Sequence, residues 1–348
     1  MRALVKVAKG YNQMVLKKVE RPQVTGKQVL VKVAYTGICG TDIHCYKGEY
    51  DRIKPPLILG HEFSGIVEEI GSEVTQVSVG DRVTSETTFS ICGNCAECLN
   101  KEYNLCAKRQ GIGTQVDGSF AEYVLSREES IHILADSVSL LEASICEPLA
   151  CGVHATMEKV KVNNHDTIIV VGPGPIGLGV VQIAKSMGAK VILLGTTLDA
   201  KRLASGEKLG ADYTFDTQTE DVVKEILSIT EGKGADYLFE CSGAAPVLLN
   251  IFDGLKQKGT VVQLGVFSDN INRLDMNSIV QREMSIIGSR SQKPSSWRKT
   301  LDLMTTKKIN SEQMITRIEP LANWQEAIDS VIAGTEIKVV LQPNIITE

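Results

Sequence analysis

The chain has 348 residues, 43% of them hydrophobic and 23% charged, enough for about two globular domains at roughly 100–200 residues each. No stretch approaches the ~18 unbroken apolar residues of a membrane span, and the charges inside Met1-Arg2-Ala3-Leu4-Val5-Lys6-Val7 mark a strand and not a signal peptide. A formal net charge of -5 argues against nucleic acid as the main partner, and nine cysteines, an odd number without an export signal, point to a reducing cytoplasm and to metal or catalytic use of thiols.

Residues 1–135 alternate in short runs, such as 28–33, 63–70 and 80–84, punctuated by glycines and polar turns. The pattern predicts a β-rich, barrel-like domain. Inside it, Gly37-Ile38-Cys39-Gly40-Thr41-Asp42-Ile43-His44 sets a thiol, a hydroxyl and an imidazole on one glycine-flanked turn, and Gly60-His61-Glu62 follows the proline-bounded stretch 55–59. Singly, Cys39 reads as a core thiol, His61 as a buried imidazole and Glu62 as a surface charge. Together, one cysteine, one histidine and one carboxylate form a set of three zinc ligands that leaves a fourth position for water or substrate. Next come Cys92, Cys95, Cys98 and Cys106, at spacings that put four thiolates in one short polar loop. This suits a closed tetrahedral zinc site. A ferredoxin run would place its fourth cysteine after three residues and follow it with proline; here seven residues intervene and Ala107 follows. With four sulfurs the metal has no open position, so this site is expected to be structural and catalysis to lie elsewhere.

From about residue 150 the rhythm changes. The continuous apolar run 167–171, a helical pattern over 176–187, a second run at 190–194 and a second helix over 201–209 predict a parallel sheet with crossover helices, continued by 237–240 and 259–264. Between the first strand and its helix stands Gly172-Pro173-Gly174-Pro175-Ile176-Gly177. In that context the glycines allow a tight turn, a close approach by a pyrophosphate and tight helix–strand packing, with the phosphates at the helix N-terminus. From 288 the pattern returns to mixed helix and strand, as if the tail folds back onto the first domain.

Taken together, Gly37 to Asp42, Gly60-His61-Glu62, the four-cysteine lobe and the glycine loop stand in the order of the zinc-containing medium-chain dehydrogenases, and the chain resembles that alcohol dehydrogenase superfamily over essentially its whole length. The resemblance implies an α/β architecture. Residues 1–150 and 288–348 would form a GroES-like β-barrel catalytic domain, and 151–287 a Rossmann-type, doubly wound parallel-sheet domain. It also implies two zinc ions per chain. The structural one would sit on the cysteine lobe. The catalytic one would be held by Cys39 and His61 with Glu62 or Glu147 as a third protein ligand, because Glu147-Pro148-Leu149-Ala150 resembles the polyol dehydrogenase branch. Cys45, Cys146, Cys151 and Cys241 are left to packing. By the same resemblance Thr41 takes the proton of the reacting hydroxyl and His44 passes it to solvent. The cofactor would be NAD or NADP, on Gly172, Gly174, Pro175, Ile176, Gly177 and Leu264.

One position departs from the pattern. NAD-preferring relatives carry an acid near Thr197 for the adenosine ribose, and this chain has none there; Thr196, Thr197, Lys201 and Arg202 are candidates for holding a 2′-phosphate instead. Low aromatic content, Tyr46, Glu147 and Arg290 point to a hydroxyl-rich substrate. The expected reaction is oxidation of a sorbitol-, iditol-, xylitol- or arabitol-type polyol at a secondary carbon to a ketose. The basic residues Arg290, Lys293, Arg298 and Lys299 leave a polyol phosphate as the alternative, and threonine dehydrogenase is a rival that Phe89, three residues before Cys92, argues against. A non-zinc quinone reductase would lack the cysteine lobe, and an inactive zinc- and dinucleotide-binding protein would have lost ligands. The resemblance further implies a homodimer or homotetramer joined through edge strands of the dinucleotide domains, with 259–264 and the apolar run after it as candidates, and no membrane or nucleic-acid partner.

Overall fold

Residues 1–50 and 52–346 are described by a computed structural model. The ten-residue strand Gln28–Gly37 is buried along nearly all its length, with Val29, Leu30, Val31 and Val33 at 0% exposure. It is the spine of the first unit, pairing antiparallel with Glu62–Ile70, with Tyr123–Arg127 and with the late strand Lys338–Gln342. The last pairing sets Val340 opposite Gly37. Beyond these, Arg82–Ser85, Ile131–Ile133 and Ile315–Pro320 extend the sheet, and a three-stranded sheet of Met14–Lys18, Arg2–Lys6 and Leu57–Ile58 lies in the same unit. By contacts, this unit comprises Met1–Glu147, Gln292–Thr305 and the chain from Ser311. Alternation of buried and open positions, as in Tyr123–Arg127, is the mark of strands covered on one face.

The second unit comprises Pro148–Ser291 and Thr306–Asn310. Its six strands are all parallel, in the order Tyr213–Asp216, Lys190–Gly195, Thr167–Val171, Ala235–Glu240, Leu255–Gln263 and Ser285–Gly288. Relative to the chain this is the 3-2-1-4-5-6 order of dinucleotide-binding sheets. Strand Thr167–Val171 is central, which explains its unbroken apolar run, since helices cover both faces of such a strand. The twelve-residue helix Pro175–Ser186 follows it and buries Leu178, Val180, Val181, Ile183 and Ala184. Each of the larger side chains contributes about 1.5–3 kcal/mol. The run 259–264, expected at the sheet edge, falls largely within the strand Leu255–Gln263, which has neighbours on both sides; the edges are Tyr213–Asp216 and Ser285–Gly288. Edge position is set by strand order, which no local pattern encodes. Among the described residues no helix is long and apolar enough to cross a membrane.

Candidate active site

Cys39 caps the helix Gly40–Lys47, and His61 and Glu62 stand where the strand Glu62–Ile70 begins. One ligand atom from each of Cys39, His61 and Glu62 lies within 4.8 Å of the others. Asp42, 1% exposed, ties the two segments together: its Oδ2 accepts from the Cys39 amide at 2.9 Å and its Oδ1 from the Gly60 amide at 3.2 Å. The same Oδ1 lies 3.8 Å from His61 Nδ1. Glu62 Oε2 pairs with the buried Lys338 Nζ, which also donates to the Ile38 carbonyl at 2.9 Å. His61 Nδ1 and Glu62 Oε1 are buried without a hydrogen-bond partner, which in a protein core costs several kcal/mol in aggregate unless something else coordinates them. A thiol, an imidazole and a carboxylate with unpartnered acceptor atoms fit a zinc ion.

Charge is concentrated here. Burial alone would lower the pKa of His61, but Asp42, Cys39 and Glu147 outweigh it and hold the imidazole well above its ordinary value. Burial raises Asp42 and Glu147, with Glu62 adding to both. Lys338 would fall on burial, yet the Glu62 carboxylate holds it up.

Glu147 lies outside the group of three, with its Oε1 accepting from Gln292 Nε2 at 2.9 Å. Thr41 is half-buried on the first helical turn after Cys39. His44 is exposed, its Nδ1 2.8 Å from Glu49 Oε2. Tyr46 is 1% exposed in the apolar core, its ring 5.2 Å from that of Tyr11; so enclosed, it has no surface to offer a substrate. Arg290 is exposed on the second unit. Of the basic residues grouped with it in the sequence, Lys293 pairs with Glu102 at 3.6 Å, and Arg298 lines a groove with Glu128, His132 and Asp302.

Cys92, Cys95, Cys98 and Cys106 converge within 4.8 Å. The Sγ separations are 3.8 Å for Cys92–Cys98 and 3.7 Å for Cys92–Cys106. A tetrahedron of ~2.3 Å Zn–S bonds has edges of about 3.8 Å, and these two separations match it. The Asn94 and Cys95 amides draw Cys92 down to about 6. Cys95 goes the other way, to about 12: the Cys98 amide favours its thiolate, but burial and its neighbours Glu97, Cys92 and Cys98 prevail. Adjacent thiols cannot all ionise without a cation among them.

In the second unit the glycine loop has the form its spacing predicts. Gly172 takes φ +95°, and a Cβ there would lie 2.7 Å from that of Ser242. Gly174 caps the helix at Pro175 and faces open space, and a Cβ on Gly177 would collide with the Gly172 carbonyl. An open backbone at a helix N-terminus is a cradle for a pyrophosphate. Ile176 and Leu264 line a cavity of about 120 Å³ together with Cys151, Cys241, Gly265, Ser289 and Ser291. Cys45 and Cys146 are core thiols, but Cys151 and Cys241 are half-buried in this cavity, which corrects their assignment to packing.

Sequence reasoning missed Asp42, Lys338 and Glu49. Asp42 alone left a signal, as the acid three residues after Cys39; the others reach their partners through tertiary structure.

The model of the alcohol dehydrogenase GroES-like domain matches residues 25–136, and that of the zinc-binding dehydrogenases residues 175–306. Over 344 residues the chain is 51% identical to a D-arabitol-phosphate dehydrogenase of Enterococcus avium, covering 99% of this chain and 98% of the relative. It is 44% identical to a sorbitol dehydrogenase of Halalkalibacterium halodurans over 343 residues, 99% of each chain. A solved zinc-binding dehydrogenase of Sinorhizobium meliloti bound to NADP superposes with a TM-score of 0.91 at 34% identity, covering 98% of this chain and 99% of that one.

Proposed function

The chain belongs to the zinc-binding alcohol dehydrogenase family, and from that premise we propose that it is a polyol dehydrogenase, moving hydride between a secondary hydroxyl of a sugar alcohol and NAD or NADP to leave a ketose. The observation that carries the proposal is the convergence of the half-buried Cys39 with the buried His61 and Glu62, whose nitrogen and oxygen have no hydrogen-bond partner among the described residues. Held by these three, zinc supplies Lewis acidity that lowers the pKa of an alcohol hydroxyl. Asp42 fixes the spacing of the Cys39 and His61 segments, and Lys338 fixes the Glu62 carboxylate. Glu147, oriented by Gln292, accepts a hydrogen bond from a hydroxyl of the substrate. Thr41 Oγ1 receives the proton of the reacting hydroxyl and His44, open to water and paired with Glu49, releases it. Gly172, Gly174, Pro175 and Gly177 would hold the dinucleotide's pyrophosphate, with Ile176 and Leu264 lining the adjoining cavity. Cys92, Cys95, Cys98 and Cys106 hold a structural zinc.

A site that hydrogen-bonds several hydroxyls rejects alcohols that lack them, because its polar groups are then left unpaired. Initial rates with sorbitol, xylitol and D-arabitol, and ethanol as control, test this directly: kcat/KM for at least one polyol or its phosphate should exceed that for ethanol by ~100-fold or more. Comparable rates with ethanol would sink the polyol assignment. A second reading, a phosphorylated polyol, rests on the 51% identity to the D-arabitol-phosphate dehydrogenase; D-arabitol phosphate belongs in the same panel, and a kcat/KM no better than that of free D-arabitol would reject it. We further propose a cytoplasmic homodimer or homotetramer, from nine thiols free of disulfides and the exposed apolar residues Met276, Val280 and Ile286 near the edge strand Ser285–Gly288. A monomeric mass by light scattering would reject the oligomer.

A further inference from the structure

The dinucleotide reading leaves NAD and NADP open, and the two differ only in the 2′-phosphate on the adenosine ribose. That ribose is ordinarily read at the end of the strand after the glycine loop, by an acid about 20 residues on. Here that end is Gly195-Thr196-Thr197-Leu198-Asp199, closed by a short 3₁₀ turn Thr197–Asp199. The sequence offers two hydroxyls and two cations for a phosphate. The structure shows how they are used. Thr196 donates both its amide, at 3.1 Å, and its hydroxyl, at 2.8 Å, to Asp199 Oδ2. Thr197 donates its hydroxyl to Asp216 Oδ2 at 2.6 Å. Arg202, partly buried, already has its Nη1 3.4 Å from Asp199 Oδ1. Lys201 stands exposed in the first turn of the next helix.

Asp216 comes from the neighbouring strand, where register places it opposite Gly195. The Thr197 hydroxyl and the Gln218 amide hold its carboxyl below the usual carboxylate range. Glu220 adds a third acid at the same turn, accepting from the Asp216 amide at 2.6 Å.

We infer that this strand end selects the unphosphorylated ribose, and hence NAD over NADP, with Asp199 and Asp216 as the specificity-determining residues. The inference rests on the dinucleotide-binding reading above. A ribose 2′-hydroxyl finds carboxylate acceptors here. A phosphate meets the carboxylates of Asp199, Asp216 and Glu220, the Thr196 and Thr197 hydroxyls already committed as donors and a guanidinium already paired with Asp199, with the Lys201 ammonium on the other side of the balance. A net excess of like charge beside a phosphate, even in high dielectric, amounts to about tenfold in affinity. The NADP of the S. meliloti structure belongs to a chain 34% identical to this one.

Titration of the full zinc-loaded chain with NADH and with NADPH, read by nicotinamide fluorescence, tests this without turnover. NADH should bind ~10-fold or more tightly than NADPH at low salt, and the ratio should shrink as ionic strength rises. Asp216→Asn, which keeps an acceptor for Thr197, should narrow the ratio by strengthening NADPH, and Asp199→Asn should do the same. Equal affinities in the unaltered chain, tighter NADPH, or a ratio unmoved by both substitutions overturns the inference while leaving dinucleotide binding intact. Failure of both nucleotides to bind overturns the glycine-loop reading and this inference with it.

Discussion

At the scale of single residues, the site is a set of charges that hold one another in place. In the proposed relay His44 is the group that reaches water. Its exposed ring and 2.8 Å contact with Glu49 suit proton release, so His44→Gln should lower kcat mainly at the acid end of the pH profile, by roughly tenfold, with polyol KM little changed. A profile of unaltered shape would remove His44 from the relay. Glu128 gives a stability counterpart away from the metal sites. Burial would raise its pKa, but the Thr75 and Gln76 amides and Lys27 overcome that and hold it below the ordinary value. A carboxylate depressed in the folded state stabilises the fold above its unfolded pKa of about 4.3, and the benefit disappears as pH falls through the folded value. Glu128→Gln should therefore cost about 1 kcal/mol at neutral pH, and its denaturation curve should converge with that of the unaltered protein in acid. A gap that persists in acid would contradict this. Cys39, His61 and Glu62 were legible as candidates only jointly, because a thiol, an imidazole and a carboxylate together make a zinc-ligand set that none of them suggests alone. Asp42 was not singled out, because an acid in a first helical turn reads as an ordinary capping residue, and Lys338 could be reached only through strand pairing across the whole chain.

At the scale of elements, the glycine loop was legible because strand, loop and helix occur in the order that gives the motif its meaning. Its third glycine is the most constrained, since a Cβ on Gly177 runs into the Gly172 carbonyl and so drives apart the turn and the helix start. Gly177→Ala should weaken NADH binding by about tenfold or more and leave the zinc content unchanged; retained NADH affinity would show that the loop does not carry the dinucleotide. The adjoining ribose end was only half legible. The sequence shows that an acid is missing near Thr197, but Asp216 arrives there by parallel register, Gly195 opposite Asp216, which no local pattern reveals. The edge strand was misplaced for a related reason: 259–264 is as apolar as an edge or a centre requires, and only strand order tells the two apart. Cys151 and Cys241 likewise looked like packing thiols until the fold put them around one cavity with Ile176 and Leu264.

At the scale of the whole molecule, the rhythm of the sequence changes near residue 150, and by contacts the parallel-sheet unit begins at Pro148. Lys338–Gln342 returns to the first unit because Gln28–Gly37 needs an antiparallel neighbour along its Thr36–Gly37 end. The segments 288–291 and 306–310 sit with the second unit by contacts, a detail of chain return that composition does not carry. The nine cysteines now divide by place: four in the lobe, one beside His61 and Glu62, two in the core and two at the cavity. The central claim, a catalytic zinc on Cys39, His61 and Glu62 in addition to a structural zinc on the lobe, is tested most directly by counting metal per chain in the unaltered protein, in Cys39→Ser and in Cys92→Ser. About two zinc ions are expected in the first and about one in each variant, with Cys39→Ser folded but inactive and Cys92→Ser melting at a lower temperature. A single zinc in the unaltered chain, or an undiminished count in Cys39→Ser, would contradict it.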